Sequence, residues 1–242
     1  MITADTIGGV GLIIVDRHER RNALDVAHCD MLRDTVRDLG NSAIRALVIT
    51  GRGTSFCAGA DLDGVYGDGF RNALYRMLSA VTELPVPVIA AVNGPAIGAG
   101  TQLAIACDLR VAAKSAAFAI PTARNGLAVN PWTLRRLSVL AGGATARAML
   151  LGCQRFDADL ALHRGLVDRI GDLDAALEWA GEIATYAPLS LRYSKKALDV
   201  LFESESTDPA LDAAFEECWS SEDLLEATRA RVEKRAPQFQ GR

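Results

Sequence analysis

The chain has little of what most catalytic centres are built from. Its three histidines, His18, His28 and His163, stand in polar or helical surroundings without a recognisable partner, so each reads as structural or exposed. The five cysteines, Cys29, Cys57, Cys107, Cys153 and Cys218, are odd in number and widely spaced, with no CxxC and no histidine pair nearby. That pattern argues against a disulfide framework and a zinc site, and fits a reducing, cytoplasmic setting. There is no GxSxG nucleophile elbow and no GK[ST] phosphate loop, and GAGTQL lacks the third glycine of a dinucleotide fingerprint. Lysine- or arginine-rich runs are missing too, and a formal charge of −4 gives no footprint for a nucleic-acid backbone. Local basic pairs, Arg135 with Arg136 and Lys234 with Arg235, are left to hold a small anion. The opening MITADTIGGV lacks the basic segment and long apolar run of an export signal.

What is present suits a globular α/β protein. Half of the 242 residues are hydrophobic and 23% are charged, enough to bury a sizeable core. One charge-free run, Leu84–Cys107, is long enough to cross a bilayer, but its three prolines, three glycines, Asn93 and Gln102 predict a buried strand, a turn and a buried helix instead, so no membrane span is expected. Apolar runs predict strands at Val10–Asp16, ALVITG, PVIAAVN, Leu109–Ala113, Ala117–Pro121 and Gly165–Ile170. Helical spacing predicts a helix ending at Gly40, another over Phe70–Glu83, one from about Gly100 to Ala106, and two in WTLRRLSVLAG and ATARAMLLG. The tail from Asp174 to Lys234 is helical in pattern throughout. Strands alternating with helices imply α/β layers.

Two stretches share one design: a buried strand ends, small residues follow, and a helix starts. They are ALVITGRGTSFCAGADL, around Ala58–Asp61, and VIAAVNGPAIGAGTQL, around Gly98–Gly100. Small side chains admit close approach of a ligand to the backbone, and a first helical turn leaves N–H groups unpaired at the positive end of the dipole. Facing each other, two such loops would form a two-donor oxyanion hole. The plainer reading is a pair of tight turns that need glycine only for packing.

Taken together, RRNAL around Arg21–Leu24, SFCAGADL at Ser55–Leu62, AAVNGPAIGAG at Ala90–Gly100, ACDLRVA at Ala106–Ala112, GLVDRI, and the closing KRAPQFQGR resemble the crotonase (enoyl-CoA hydratase/isomerase) family. The resemblance implies a spiral core of ββα turns over residues 1–185 and a helical C-terminal region over 186–242, assembled as a homotrimer or hexamer. Its ligand would be an acyl-CoA thioester, with no further cofactor. By motif position the oxyanion donors are the backbone N–H groups of Ala60 and Ala99, and Arg21, Ala58, Asp61 and Leu62 fall where the family lines its CoA-binding groove.

Hydration of an enoyl thioester requires water activated at the β carbon and a proton delivered at the α carbon. The family's hydratases give this work to two glutamates, and the matching positions here are Gln102 and Thr122. An amide does not exchange protons near neutral pH and an alcohol is a poor base, and each lost acid–base group costs about 10²–10⁴ in rate. Asp61, Asp63 and Asp68 are candidate substitutes, but the plainer reading makes them solvated loop carboxylates. Cys57 reads as a small buried residue rather than a nucleophile. The segment IPTARNGLAVNPWTLRRLSVLAG, with Thr122, Trp132, Arg135 and Arg136, resembles a catalytically silent acyl-CoA-binding branch linked to mycolic-acid-type lipid synthesis, which implies fatty-acid synthesis proteins as partners. Trp132 reads as helix packing, and Arg135 and Arg136 as solvated helix residues or ligand contacts.

Overall fold

The structure, a computed structural model, describes residues 1–61, 68–200 and 209–240. The chain divides into two compact units, one of residues 1–119 and 155–200 and the other of residues 120–154 and 201–242.

The first unit is built on a six-stranded sheet. Strands β1 (Ile2–Ile7) and β2 (Val10–Val15) form an antiparallel hairpin, and β2 is followed across the sheet by β3 (Ala46–Gly51), β4 (Val88–Val92), β6 (Leu109–Ala112) and β9 (Arg169–Ile170), all parallel to their neighbours. A parallel strand covered on both faces reads as an unbroken apolar run, as VIAAV and ALVITG do. Val10, Leu12, Ala46, Val48, Ile89, Ala91 and Val111 share one face, where Ala176, Ala180 and Ile183 of helix α6 (Leu173–Ala184) pack on them. A second, three-stranded sheet places β5 (Pro95–Ile97) parallel to β7 (Ala117–Ala119) and β7 antiparallel to β8 (Phe156–Asp157). Helices α1 (Val26–Gly40) and α2 (Asp68–Glu83) pack against each other; α3 (Ala99–Ala106) is buried along its whole length. Helices α5 (Ala158–His163) and α7 (Pro188–Asp199) complete this unit. A buried Arg110, 2% exposed, staples it by donating to the carbonyls of Leu166 (2.6 Å) and Cys107 (2.9 Å) and pairing with Asp168 (3.2 Å).

The second unit contains a 3₁₀ turn at Thr122–Asn125 and helices α4 (Pro131–Leu150), α8 (Pro209–Ser220) and α9 (Glu222–Val232). Asn130 caps α4 by accepting the Thr133 N–H at 3.0 Å, with Pro131 in the first turn. The two helices expected here run on as one, broken at Gly142, whose φ of 81° and ψ of 151° are not helical. Beside the 3₁₀ turn, Gly126 lies so close to Asp223 and Leu224 that a Cβ there would sit 2.9 Å from the Asp223 carbonyl oxygen.

The architecture is α/β, as the alternation of strands and helices implies. The charge-free run Leu84–Cys107 becomes β4, β5 and α3, and among the described residues no helix is long and apolar enough to cross a membrane. The strand expected over Gly165–Ile170 is shorter. Gly165 turns at φ 73°, the Leu166 and Val167 amides close the end of α5 on the Ala161 carbonyl, and only Arg169–Ile170 joins the sheet.

Candidate functional site

Because β2, β3 and β4 are adjacent and parallel, their carboxyl ends open on the same edge of the sheet, the usual ligand side of such sheets. Three segments leave that edge, residues 16–25, 52–61 and 93–98. Asn22 joins the first two. It is fully buried, its side-chain amide donates to the carbonyls of Arg52 (2.9 Å) and Ser55 (2.7 Å), and its oxygen accepts the Arg17 N–H (2.9 Å). Arg21 and Asn22 are both left-handed, with φ of 53° and 59°. Asparagine tolerates that region better than arginine does; at Arg21 it turns the carbonyl onto the Ala58 N–H at 3.0 Å.

The second and third segments run side by side. Cys57 bridges Ala96 in parallel, and the Ile97 N–H donates to the Cys57 carbonyl at 2.9 Å. The approach is so close that a methyl at Gly100 would collide with that carbonyl, and a Cβ on Gly59 would lie 2.8 Å from the Ile97 oxygen and 3.9 Å from the Ala99 nitrogen. Gly59 also has a φ of 106°, open to glycine alone without strain. Thr101 anchors the start of α3 from beneath, its hydroxyl within 2.6 Å of the Ala96 carbonyl and 2.9 Å of the Ala119 carbonyl.

Two peptide planes are fixed by this arrangement. The Gly59 carbonyl accepts the Leu24 N–H at 2.8 Å and the Gly98 carbonyl accepts the Gln102 N–H at 3.0 Å. In a trans peptide the N–H points opposite to the C=O, and no peptide bond among the described residues is cis. The Ala60 N–H is therefore aimed away from Leu24, and the Ala99 N–H is aimed out of the amino end of α3. No hydrogen bond joins either amide to another described residue. Two donors held in fixed directions on neighbouring segments suit an oxygen that gains negative charge.

The other expected residues are placed as follows. Gln102 is 4% exposed within α3. Thr122 opens the 3₁₀ turn of the second unit, half-buried, its carbonyl accepting the Leu127 N–H at 3.0 Å. Arg21 is exposed and Ala58 half-buried. Leu62 and Asp63 lie outside the described residues, as does the side chain of Asp68. Asp61 is not a solvated carboxylate: it pairs with Arg17 at 2.8 Å and its side chain is only 13% exposed. Arg136 is likewise not solvated; it is 3% exposed, with its guanidinium 5.5 Å from the Trp132 ring centre. Arg235 pairs with Glu226 and Glu233. Two histidines read as partnerless have partners, His28 with Asp25 at 2.7 Å and His18 with Asp16 at 3.0 Å. Cys57 is fully buried, and burial pushes its thiol up to about 12, which removes it as a nucleophile near neutral pH. Asn22, Arg17 and Thr101 were not expected. An asparagine in a polar turn after two arginines carries a weak left-handed signal, but Ser55 for Asn22, Asp61 for Arg17 and Ala119 for Thr101 are distant in sequence.

The enoyl-CoA hydratase/isomerase family profile matches residues 5–242. A probable enoyl-CoA hydratase echA6 of Mycobacterium bovis is 46% identical over 230 residues, 95% of each chain. A short-chain-enoyl-CoA hydratase of Clostridium acetobutylicum is 32% identical over 94% of this chain and 93% of its own. Among solved structures, a methylmalonyl-CoA decarboxylase complexed with 2S-carboxypropyl CoA has a TM-score of 0.91 at 25% identity, covering 100% of this chain and 98% of its own. An enoyl-CoA hydratase/isomerase from Pseudoalteromonas atlantica T6c has a TM-score of 0.86 at 30% identity over 99% of both chains. With its glycine loops gathered at one edge of a parallel sheet and a profile match along nearly its whole length, the chain belongs to the enoyl-CoA hydratase/isomerase, or crotonase, family.

Proposed function

We propose that the protein binds a fatty acyl-CoA by its thioester oxygen and does not hydrate it, acting as a carrier. The oxygen would sit between the Ala60 and Ala99 amides, with Arg21, Ala58, Asp61 and Leu62 along the CoA. The observation that carries this reading is the pair of pinned peptides: the main-chain N–H groups of Leu24 and Gln102 hold the carbonyls of Gly59 and Gly98, so both N–H donors keep their direction without a carboxylate at Gln102 or Thr122. A carboxamide at Gln102 and an alcohol at Thr122, matched by motif position to the hydratase glutamates, are not proton-transfer groups near neutral pH. The carboxypropyl CoA bound to the related decarboxylase supports a CoA compound as the ligand class. We further propose a trimer or hexamer in the cytoplasm that passes its acyl chain to fatty-acid synthesis proteins.

A second reading, an active hydratase or isomerase with another acid or base, is favoured by the hydratase names of the relatives. Incubation with short- and long-chain enoyl-CoA, following loss of the conjugated thioester absorbance, with acyl-CoA affinity measured by calorimetry, separates the two. The carrier reading expects binding without turnover, and turnover at ordinary enzymatic rates would end it. Gln102→Glu combined with Thr122→Glu is expected to raise hydration above background by about 10²-fold or more, one acid–base group's worth or better.

A further inference from the structure

Leu24 and Ala60 are paired in a parallel bridge: the Leu24 N–H donates to the Gly59 carbonyl at 2.8 Å, and the Asp61 N–H donates to the Leu24 carbonyl at 2.6 Å. This short ladder gives the Gly59–Ala60 peptide its direction. The residue following each paired position is an aspartate, Asp25 on one segment and Asp61 on the other. One guanidinium spans them. Arg17 reaches Asp61 with Nη2 at 2.8 Å and Asp25 with Nη1 at 3.3 Å, while Nη1 also donates to the Ala23 carbonyl at 3.0 Å. Arg17 is itself tied by its main-chain N–H to Asn22 at 2.9 Å and is 17% exposed in its side chain. On the far side of Asp25, the His28 ring and amide bond the other carboxylate oxygen at 2.7 and 2.9 Å.

We propose that Arg17 is a positioning residue for the thioester site: it buckles the segment carrying Leu24 to the segment carrying Ala60, and thereby sets the direction of the Ala60 N–H. This rests on the carrier reading's placement of the thioester oxygen at Ala60. Asp61 donates its main-chain N–H into the ladder and Asp25 directly follows Leu24, so without the guanidinium two carboxylates repel each other beside it. The like-charge pair opens the ladder where the Gly59 carbonyl is held. Lysine, a point charge with no planar fork, can serve one carboxylate at a time and so restores the buckle in part.

The test compares wild type, Arg17→Met, Arg17→Lys and Asp61→Asn, with a saturated acyl-CoA labelled with ¹³C at the thioester carbonyl. Infrared difference spectroscopy reads the carbonyl stretch on binding, and calorimetry reads affinity for the acyl-CoA and for free CoA. Wild type is expected to lower the carbonyl frequency relative to solution. Arg17→Met should lose most of that shift and about tenfold in acyl-CoA affinity, one charge-assisted hydrogen bond's worth, with free-CoA affinity unchanged. Arg17→Lys should recover part of both. Asp61→Asn, which keeps side-chain shape, should show an intermediate shift, so the question stays decidable if Arg17→Met does not fold. Folded variants that keep the full wild-type shift, or Arg17 variants that lose free-CoA and acyl-CoA affinity equally, overturn the role of Arg17; Asp61→Asn, at a residue placed along the CoA, is judged by the carbonyl shift alone. A wild-type complex with no carbonyl shift removes the thioester placement itself.

Discussion

Asn22 shows how one side chain decides local structure. Its side-chain amide satisfies two carbonyls of the 52–61 segment and the Arg17 main-chain N–H, and its bond to Ser55 is fully buried. Asn22→Ala leaves the buried Ser55 carbonyl unpaired, at a cost of about 1–3 kcal/mol, and strips the partly buried Arg52 carbonyl and Arg17 N–H of their partner. We expect a destabilisation of about 2–3 kcal/mol, read as a lower denaturant midpoint with an unchanged slope. A variant within 0.5 kcal/mol of wild type, about the scatter of surface substitutions, would show that Asn22 does not hold the loops together. The two oxyanion candidates were legible as glycine-and-alanine loops, because the need for close backbone approach is written in residue size. The residues that aim them were not, since Leu24, Asn22 and Arg17 act through partners more than 30 positions away in the case of Asn22 and Ser55.

At the scale of elements, the buried strands β2, β3 and β4 were legible as apolar runs, whereas β1, β5 and β8 were not. ITADTI is half polar and lies on the sheet edge, although the Gly8–Gly9 pair that turns it back, at φ of 56° and 83°, is a known hairpin signal. Strands β5 and β8 are 3 and 2 residues long and are held by pairing with β7, to which β5 adds its bridge to Cys57. The tail breaks at Ala187, where Pro188 bars its predecessor from helix. Beyond α9 the chain is tied back: Glu226 accepts the Gln238 N–H at 2.9 Å and pairs with Arg235, and Asp223 accepts the Gln240 N–H at 2.6 Å. The Arg235 guanidinium and the Gln238 amide hold the Glu226 carboxyl down at about 2. Tethering by Glu226 is therefore complete above about pH 4.5 and is lost as the pH falls through about 2. Hydrogen exchange of the Gln238 amide should be slowed at pH 5 and speed up relative to its intrinsic rate toward pH 2. Glu226→Gln should remove the pH dependence, and an amide equally protected at both ends of that range would contradict the tether.

At the scale of the whole molecule, function rests on topology more than on charge. A net charge of −4 offers no long-range attraction to an anionic CoA, and exposed charges are screened beyond about 8 Å at physiological salt. Specific grip must come from groups fixed at short range. Three adjacent parallel strands deliver three segments to one edge, and the segments lock one another by main-chain bonds, so neither amide depends for its direction on the side chains of Gln102 and Thr122. In such a site chemistry can be removed by changing a side chain while binding survives. The most direct test is a crystal structure of the protein with a bound long-chain acyl-CoA. The account predicts the thioester oxygen about 2.7–3.1 Å from both the Ala60 and Ala99 nitrogens, with no carboxylate facing the α and β carbons; a thioester lodged elsewhere, or an acid poised over those carbons, would contradict it.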